Sequence, residues 1–257
     1  MSRALLEVRR LVKRFGGLTV IDDVSFSIPT GQRTALIGPN GAGKTMLFNL
    51  LTGVYPPSSG AIFLDDVNLT RVPAVQRVGC GLARTFQNIR LVGHLTALEN
   101  VLLGQQHRSG GVAGALQAVL FGSNNRWAKE AREGLRAASL HTYADTLVRH
   151  LPFGVRKQVE LVRAMMARPK LLLLDEPAAG LNPAETGELK RQLEAIAAGG
   201  VTVLVIEHDM AFVGEYCDAV IVLNFGRKIA TGTPGEVRRL PEVREAYLGT
   251  EATVGAD

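Results

Sequence analysis

The sequence predicts an α/β fold, a largely parallel sheet flanked by helices and built around a phosphate-binding loop. Three observations predict it. The stretch Gly38-Pro-Asn-Gly-Ala-Gly-Lys-Thr45 lies between an apolar run, Thr34 to Ile37, and a helix-like run, Met46 to Leu51. That order, strand then glycine-rich turn then helix, is the context a P-loop needs. Leu171–Leu174 is a continuous apolar run that ends in Asp175 and Glu176, the pattern of a parallel strand buried on both faces. From Val155 onward, strand-like and helix-like segments alternate, which implies right-handed crossovers between parallel strands.

The elements follow in order. Leu5–Leu11 and Val24–Ile28 read as strands, and Arg33–Ile37 leads into the P-loop. Ala61–Leu64 is a short strand after the turn cluster Pro56-Pro57-Ser58-Ser59-Gly60. From Asn88 to His150 the character becomes helical. Thr96-Ala-Leu-Glu99 is a capping box that predicts a helix over Asn100–Gln106. Ser109-Gly110-Gly111 interrupts, a loose apolar stretch covers Gly111–Phe121, and Trp127, Ala131 and Leu135 predict a helix within Asn125–Ser139. Val155, Val159, Val162 and Met166 form one apolar helical stripe, with Arg156, Lys157, Glu160 and Arg163 largely on other faces. Then come the strand Leu171–Leu174, a helix Pro183–Ala198 with proline in its first turn, the strand Val201–Ile206, a short helix from Met210 and the strand Ala219–Leu223. Residues 250–257 read as a frayed tail.

The motifs carry specific chemistry. Gly38, Gly41 and Gly43 let the backbone curl into a cup of N–H donors, with Pro39, Asn40 and Ala42 completing the turn. The helix beginning near Lys44 points its positive end at the same anion. The Lys44 ammonium would reach the β- and γ-phosphates of a nucleotide, and the Thr45 hydroxyl would hold Mg²⁺. Asp175, at a strand's carboxyl end, can bind Mg²⁺ through a water, and Glu176 is placed to polarise an attacking water.

Composition narrows the classes further. The chain has 257 residues and 46% hydrophobic content, enough for one large α/β domain or a core with a subdomain. A net charge of +5 is only mildly basic, and the arginines are dispersed, so no nucleic-acid partner is expected. The two cysteines, Cys80 and Cys217, show no ligand or disulfide spacing, which suits a reducing cytosol. No apolar run approaches the ~20 residues that span a bilayer. Any membrane-spanning part of the system is therefore expected from another chain.

Taken together these positions resemble the ATP-binding subunits of ABC transporters, along nearly the whole chain. The resemblance implies an α/β P-loop NTPase of the ABC type, with an antiparallel β subdomain and an inserted helical subdomain. Residues 1–87 would form the first part of the ATP-binding core, 88–150 the helical subdomain, 151–235 the second part of the core and 236–257 a C-terminal extension. Gln87, in Arg84-Thr-Phe-Gln87, resembles the glutamine that touches Mg²⁺ and faces the membrane subunit. His208, in Ile206-Glu-His-Asp209, resembles the switch histidine that contacts the γ-phosphate, and Ala179-Gly-Leu-Asn182 resembles the D-loop. Phe15 sits where the family stacks an aromatic on adenine, although a core or turn aromatic reads the same way in sequence. The signature motif departs from the family's Leu-Ser-Gly-Gly-Gln, because the matching stretch is Leu151-Pro152-Phe153-Gly154-Val155. In the family this loop caps ATP held by the other subunit. Gly154 is kept, while Pro152 has neither hydroxyl nor backbone N–H. A lost donor of that kind costs about 2.7–4 kcal/mol, which slows a site without silencing it; alternatively Phe153 and Val155 simply pack locally.

A narrower resemblance is to one ATPase of the branched-chain amino-acid importers. It rests on Ala83-Arg-Thr-Phe-Gln-Asn-Ile-Arg90, Leu98-Glu-Asn-Val-Leu-Leu-Gly104, Glu207-His-Asp-Met210 and Arg244-Glu-Ala-Tyr-Leu-Gly249. It implies ATP and Mg²⁺ as ligands and a second, different ATP-binding subunit in a heterodimer, with a homodimer as the alternative. It also implies transmembrane permease subunits, a soluble substrate-binding protein that acts indirectly, and a peripheral place on the cytoplasmic face of the inner membrane. Urea-importer ATPases are closely similar. Two other classes stay open at this stage: a regulatory nucleotide-binding module with weak turnover, and a soluble ABC ATPase of DNA repair or translation.

Overall fold

The computed structural model describes residues 3–108 and 126–251. Its frame is two sheets with helices packed between and outside them. A long hairpin opens the chain: β1 (Ala4–Phe15) and β2 (Leu18–Pro29) pair antiparallel, and β4 (Ser59–Leu64) and β5 (Val67–Asn68) extend that sheet in the order β2-β1-β4-β5. Both hairpin strands run further than the sequence predicts. Lys13 and Arg14 look like a polar break, yet the pairing continues through Arg14 with Thr19 and Phe15 with Leu18. Charged residues of a hairpin can face solvent without ending its ladder of backbone hydrogen bonds.

The second sheet contains β3 (Arg33–Ile37), β6 (Leu82–Arg84), β7 (Leu171–Asp175), β8 (Thr202–Ile206), β9 (Ala219–Asn224) and β10 (Arg227–Gly232) in the order β10-β9-β3-β8-β7-β6. All pairs are parallel except β9 with β10. β10 was not expected from sequence, because Arg-Lys-Ile-Ala-Thr-Gly lacks the apolar run of a central strand, and it sits at the edge. The buried strands divide their side chains between two cores. Leu171 and Leu173 enter a cluster shared with the antiparallel sheet and with α1 (Lys44–Leu51), whereas Leu172 and Leu174 enter one on the opposite face. That second cluster is closed by α6 (Pro183–Ala198) and α7 (Met210–Tyr216), with α8 (Pro234–Val237) and α9 (Pro241–Glu251). A short α2 (Ala74–Arg77) precedes β6, and there the fully buried Arg77 donates to the carbonyls of Leu50 and Leu51 at the end of α1.

A third cluster belongs to the helical region. It joins α3 (Ala97–Leu103), α4 (Arg126–Ala137) and one side of α5 (Phe153–Met165). The capping box is present, with Thr96 accepting from the Glu99 amide, so α3 starts at Ala97, earlier than the expected Asn100. Val159, Val162 and Met166 of the predicted stripe lie in this cluster, which therefore reaches past residue 150. The charged residues placed on the other faces of α5 are not all at the surface. Lys157 and Glu160 are buried, because this helix is packed on more than one side. The interruption at 109–111, the stretch Gly111–Phe121 and residues 252–257 of the predicted tail lie outside the described residues, while Thr250 and Glu251 are the end of α9.

Candidate active site

The parallel register brings the predicted residues to one edge. β3, β8 and β7 are neighbours, and their carboxyl ends lead directly into the P-loop, the Glu207–Asp209 turn and the Asp175–Glu176 pair. Open α/β sheets bind ligands at this edge.

All three P-loop glycines, Gly38, Gly41 and Gly43, have positive φ, and at two of them a side chain would also clash. Gly38 has φ 150°, and a Cβ there would stand 2.1 Å from the Leu223 carbonyl oxygen. Gly43 is the N-cap of α1 at φ 98°, and a Cβ would meet Ile21 Cδ1 at 2.9 Å. Neighbouring strands thus press on the loop from behind, and Asn40, Gly41 and Thr45 are exposed. Lys44 is folded back, its Nζ donating to the carbonyls of Gly38 at 2.6 Å and Pro39 at 3.0 Å. Burial pushes its ammonium down from the ordinary lysine range, opposed by the charges of Glu176 and Asp175. Those two carboxylates therefore lie within electrostatic reach of Lys44.

Glu176 is the hub. It follows β7 in a left-handed conformation, φ 49°, which non-glycine residues seldom adopt without a reason. Its amide donates to the Ile206 carbonyl at 3.0 Å, tying the turn to β8. One carboxylate oxygen accepts from Gln87 Nε2 at 2.9 Å, and the other lies 3.0 Å from His208 Nε2. Three residues singled out separately in sequence are thus one hydrogen-bonded cluster. Asp175 is held by Arg84, whose Nη2 donates to Asp175 Oδ2 at 2.6 Å while Nη1 donates to Asn49 Oδ1 at 2.7 Å. Both side chains of that ion pair are only 6% exposed.

The hydroxyl of Thr45, the carboxylate of Asp175 and the amide oxygen of Gln87 are hard donors that suit Mg²⁺. Among the described residues no group of His, Cys, Asp and Glu could hold a metal by itself. A divalent ion at this edge would thus share its coordination with phosphate oxygens, as expected for a nucleotide-borne metal.

The remaining predicted positions lie around this centre. Phe15 is 43% exposed and meets Tyr55 edge-on, with ring centroids 5.5 Å apart, while the Lys13 ammonium lies over its ring 4.6 Å from the centroid. Gly154 is buried in the first turn of α5, where a Cβ would fall 2.4 Å from Glu185 Oε1 of the same chain. The exposed positions of that loop are Pro152, the extended N-cap residue, and Phe153.

Four contributors carried no role in the sequence reading. Arg84 appeared there only as a letter of the Gln87 motif. Glu207 is buried and accepts from the amides of Ala178 and His208, which fixes the turn that presents His208; burial pushes its carboxyl up. Lys157 donates to the carbonyls of Glu176 at 3.1 Å and Pro177 at 2.9 Å. Tyr247 of α9 is partly buried with a backbone hydrogen bond from Gly38, so the C-terminal helix packs onto the P-loop. A charge in every third position of α5 was the available signal for Lys157; the others had none.

A protein-family model described as "ABC transporter" matches residues 21–179, and one described as "Branched-chain amino acid ATP-binding cassette transporter" matches 227–253. The chain is 42% identical over 253 residues to the high-affinity branched-chain amino acid transport ATP-binding protein BraF of Pseudomonas aeruginosa, covering 97% of this chain and 99% of that protein. It is 40% identical to the corresponding LivG of Escherichia coli, with the same coverage. Among solved structures, the ADP conformation of an ATP-binding cassette of an ABC transporter superimposes with a TM-score of 0.86 at 30% identity, covering 96% of this chain and 100% of that one.

Proposed function

This chain belongs to the ABC transporter family of ATPases, and from that premise we propose that it is the motor subunit of a membrane importer for branched-chain or other amino acids. The observation that carries the mechanism is the placing of Glu176 between Gln87 and His208 at the edge that holds the P-loop.

In this reading the P-loop amides and the dipole of α1 bind the phosphates, and Lys44 swings from the Gly38 and Pro39 carbonyls onto the β- and γ-oxygens. Thr45, Asp175 and Gln87 would hold Mg²⁺, which would neutralise charge developing on the phosphates. Glu176 orients the attacking water and accepts its proton, and His208 steadies the γ-phosphate. Both Glu176 oxygens are engaged in the present arrangement, so water activation requires one partner to let go. Gln87, on the segment expected to face the permease, is the partner whose displacement frees an oxygen. Catalysis is then positioning plus electrostatics. Phe15 stacks on adenine.

The chain works as half of a dimer in which the loop at Pro152–Gly154 caps the partner's nucleotide, beneath permease subunits and on the cytoplasmic face of the membrane. No described helix is long and apolar enough to cross a bilayer, which fits a peripheral subunit. The names of BraF and LivG support the solute class; a urea importer is the alternative, and uptake assays with labelled amino acids and urea separate the two. Pro152, the exposed N-cap residue of α5, carries neither a hydroxyl nor a backbone N–H to donate, which favours slow turnover at the site it caps.

Glu176→Gln tests the reading. Retained MgATP binding with turnover reduced by about 10²–10⁴-fold is expected for a lost general base, measured by phosphate release and nucleotide binding. Unchanged turnover would remove Glu176 from the mechanism.

A further inference from the structure

Helix α5 carries a polar stripe that the catalytic scheme above leaves unused. Lys157, Glu160 and Arg163 recur at helical spacing on one face. Lys157 and Glu160 are buried, and Arg163 is partly buried. Their partners are mostly main-chain atoms. Lys157 Nζ donates to the carbonyls of Glu176 and Pro177. Glu160 Oε1 accepts from the Arg90 amide at 2.9 Å, and Arg163 Nη1 donates to the Arg90 carbonyl at 2.6 Å. One helix face therefore grips the turn after β7 and the end of the segment that carries Gln87. At its start the same helix places the Phe153 ring against Gly180 of the Ala179–Asn182 turn.

A lysine on a packed face needs strong compensation. Here the compensation is specific. Glu176 lies in a left-handed conformation. Its carbonyl takes both the Lys157 ammonium and the Ala179 amide, the latter at 3.2 Å. The Pro177 carbonyl converges on the same ammonium. The cation thus stabilises the turn that aims the Glu176 carboxylate at Gln87 and His208. We propose that Lys157 is a positioning residue for Glu176, clamping the carbonyls of Glu176 and Pro177. Glu160 and Arg163 lock the same helix to the Arg90 backbone, so that the Pro152–Gly154 loop, the Gln87 segment and the Glu176 turn are held by one rigid element. The inference rests on the reading of Glu176 as the catalytic carboxylate.

The test compares Lys157→Met, Lys157→Arg and Glu176→Gln in the full chain. Three readouts are taken: ATP turnover of the assembled complex, binding of a fluorescent ATP analogue with Mg²⁺, and amide hydrogen exchange of the isolated full chain. For Lys157→Met, turnover falls by about 10- to 100-fold, as for a small misplacement of a catalytic group. Nucleotide affinity is unchanged, and exchange quickens across residues 176–181 while α1 and α5 keep their protection. Lys157→Arg, which can still donate to both carbonyls, recovers most of the turnover. Wild-type turnover in a folded Lys157→Met protein overturns the proposal. So does a loss in which nucleotide binding and the protection of α1 decline in step, because that marks general destabilisation. If Glu176→Gln keeps full turnover, the underlying reading fails instead. If Glu176→Gln is inactive and Lys157→Met is not, this proposal alone fails.

Discussion

At the scale of single residues, the site is governed by which polar groups already have partners. Lys44, Asp175 and Glu176 each hold a protein group where a nucleotide complex would present phosphate, metal or water: two carbonyls, Arg84, and the Gln87–His208 pair respectively. Those contacts keep buried charge compensated and must be exchanged on binding. Pro152 is the informative deviation. As the N-cap of α5 it offers no side-chain acceptor to the first helical amides, whereas serine there is among the preferred caps. Pro152→Ser is expected to raise turnover of the dimer, because a hydroxyl donor returns opposite the partner's nucleotide, and to stabilise the chain by up to about 1 kcal/mol. Steady-state hydrolysis and thermal denaturation check both effects; unchanged turnover would favour local packing of Phe153 as the reason for the substitution. The P-loop was legible at this scale because each of its glycines answers a backbone requirement, as the clash of a Gly38 Cβ with Leu223 shows. Lys157 and Glu160 were not. A helical charge repeat normally means solvent, and only the convergence of β7 and the Gln87 segment on that face makes it an interior.

At the scale of elements, strands proved legible where both faces are apolar. Leu171–Leu174 and Ala219–Leu223 each fell within one residue of the observed ends. Polar edge elements were not. β10 lacks a core pattern, and α9 draws its place from contacts with distant parts of the chain. The start of β3 is set by charge as well as by apolar burial. At the entry to β9 the Asp218 amide donates to the Arg33 carbonyl, the Arg33 amide donates to the Asp218 carboxylate, and the two side chains form an ion pair. The Arg33 guanidinium holds the Asp218 carboxyl below the usual carboxylate range. A carboxyl whose folded pKa is lowered adds stability that is present above its unfolded pKa and is lost as pH falls through the folded one. Asp218→Asn is therefore expected to cost about 0.2–1 kcal/mol near neutral pH, the range for partly exposed pairs. The penalty should vanish once the pH drops below the range in which Asp218 titrates. Denaturant titrations of both proteins at neutral and strongly acid pH check the sign; a penalty that grew on acidification would contradict it.

At the scale of the whole molecule, the two sheets and the helical cluster are built on one helix and one edge. α5 contributes Leu161 to the core beneath the parallel sheet and Val159, Val162 and Met166 to the helical cluster, so the regions that would meet the permease and the nucleotide share a rigid member. That sharing was not readable from sequence, where a boundary at residue 150 looked natural because the composition changes there. The α/β class and the largely parallel sheet were readable, since they follow from local periodicity and the alternation of elements; the order β9-β3-β8-β7 was not, because it depends on which strands meet across the sheet. Every step proposed for the nucleotide depends on the P-loop edge as an anion site, and the most direct measurement of that site is equilibrium binding of MgATP to the wild-type chain and to Lys44→Ala. Wild-type binding and a loss of about 1.5–3 kcal/mol in the variant, the worth of a hydrogen bond to a charged group, is the predicted result. Equal affinity of the two proteins for MgATP, or no affinity in the folded wild type, would contradict the account.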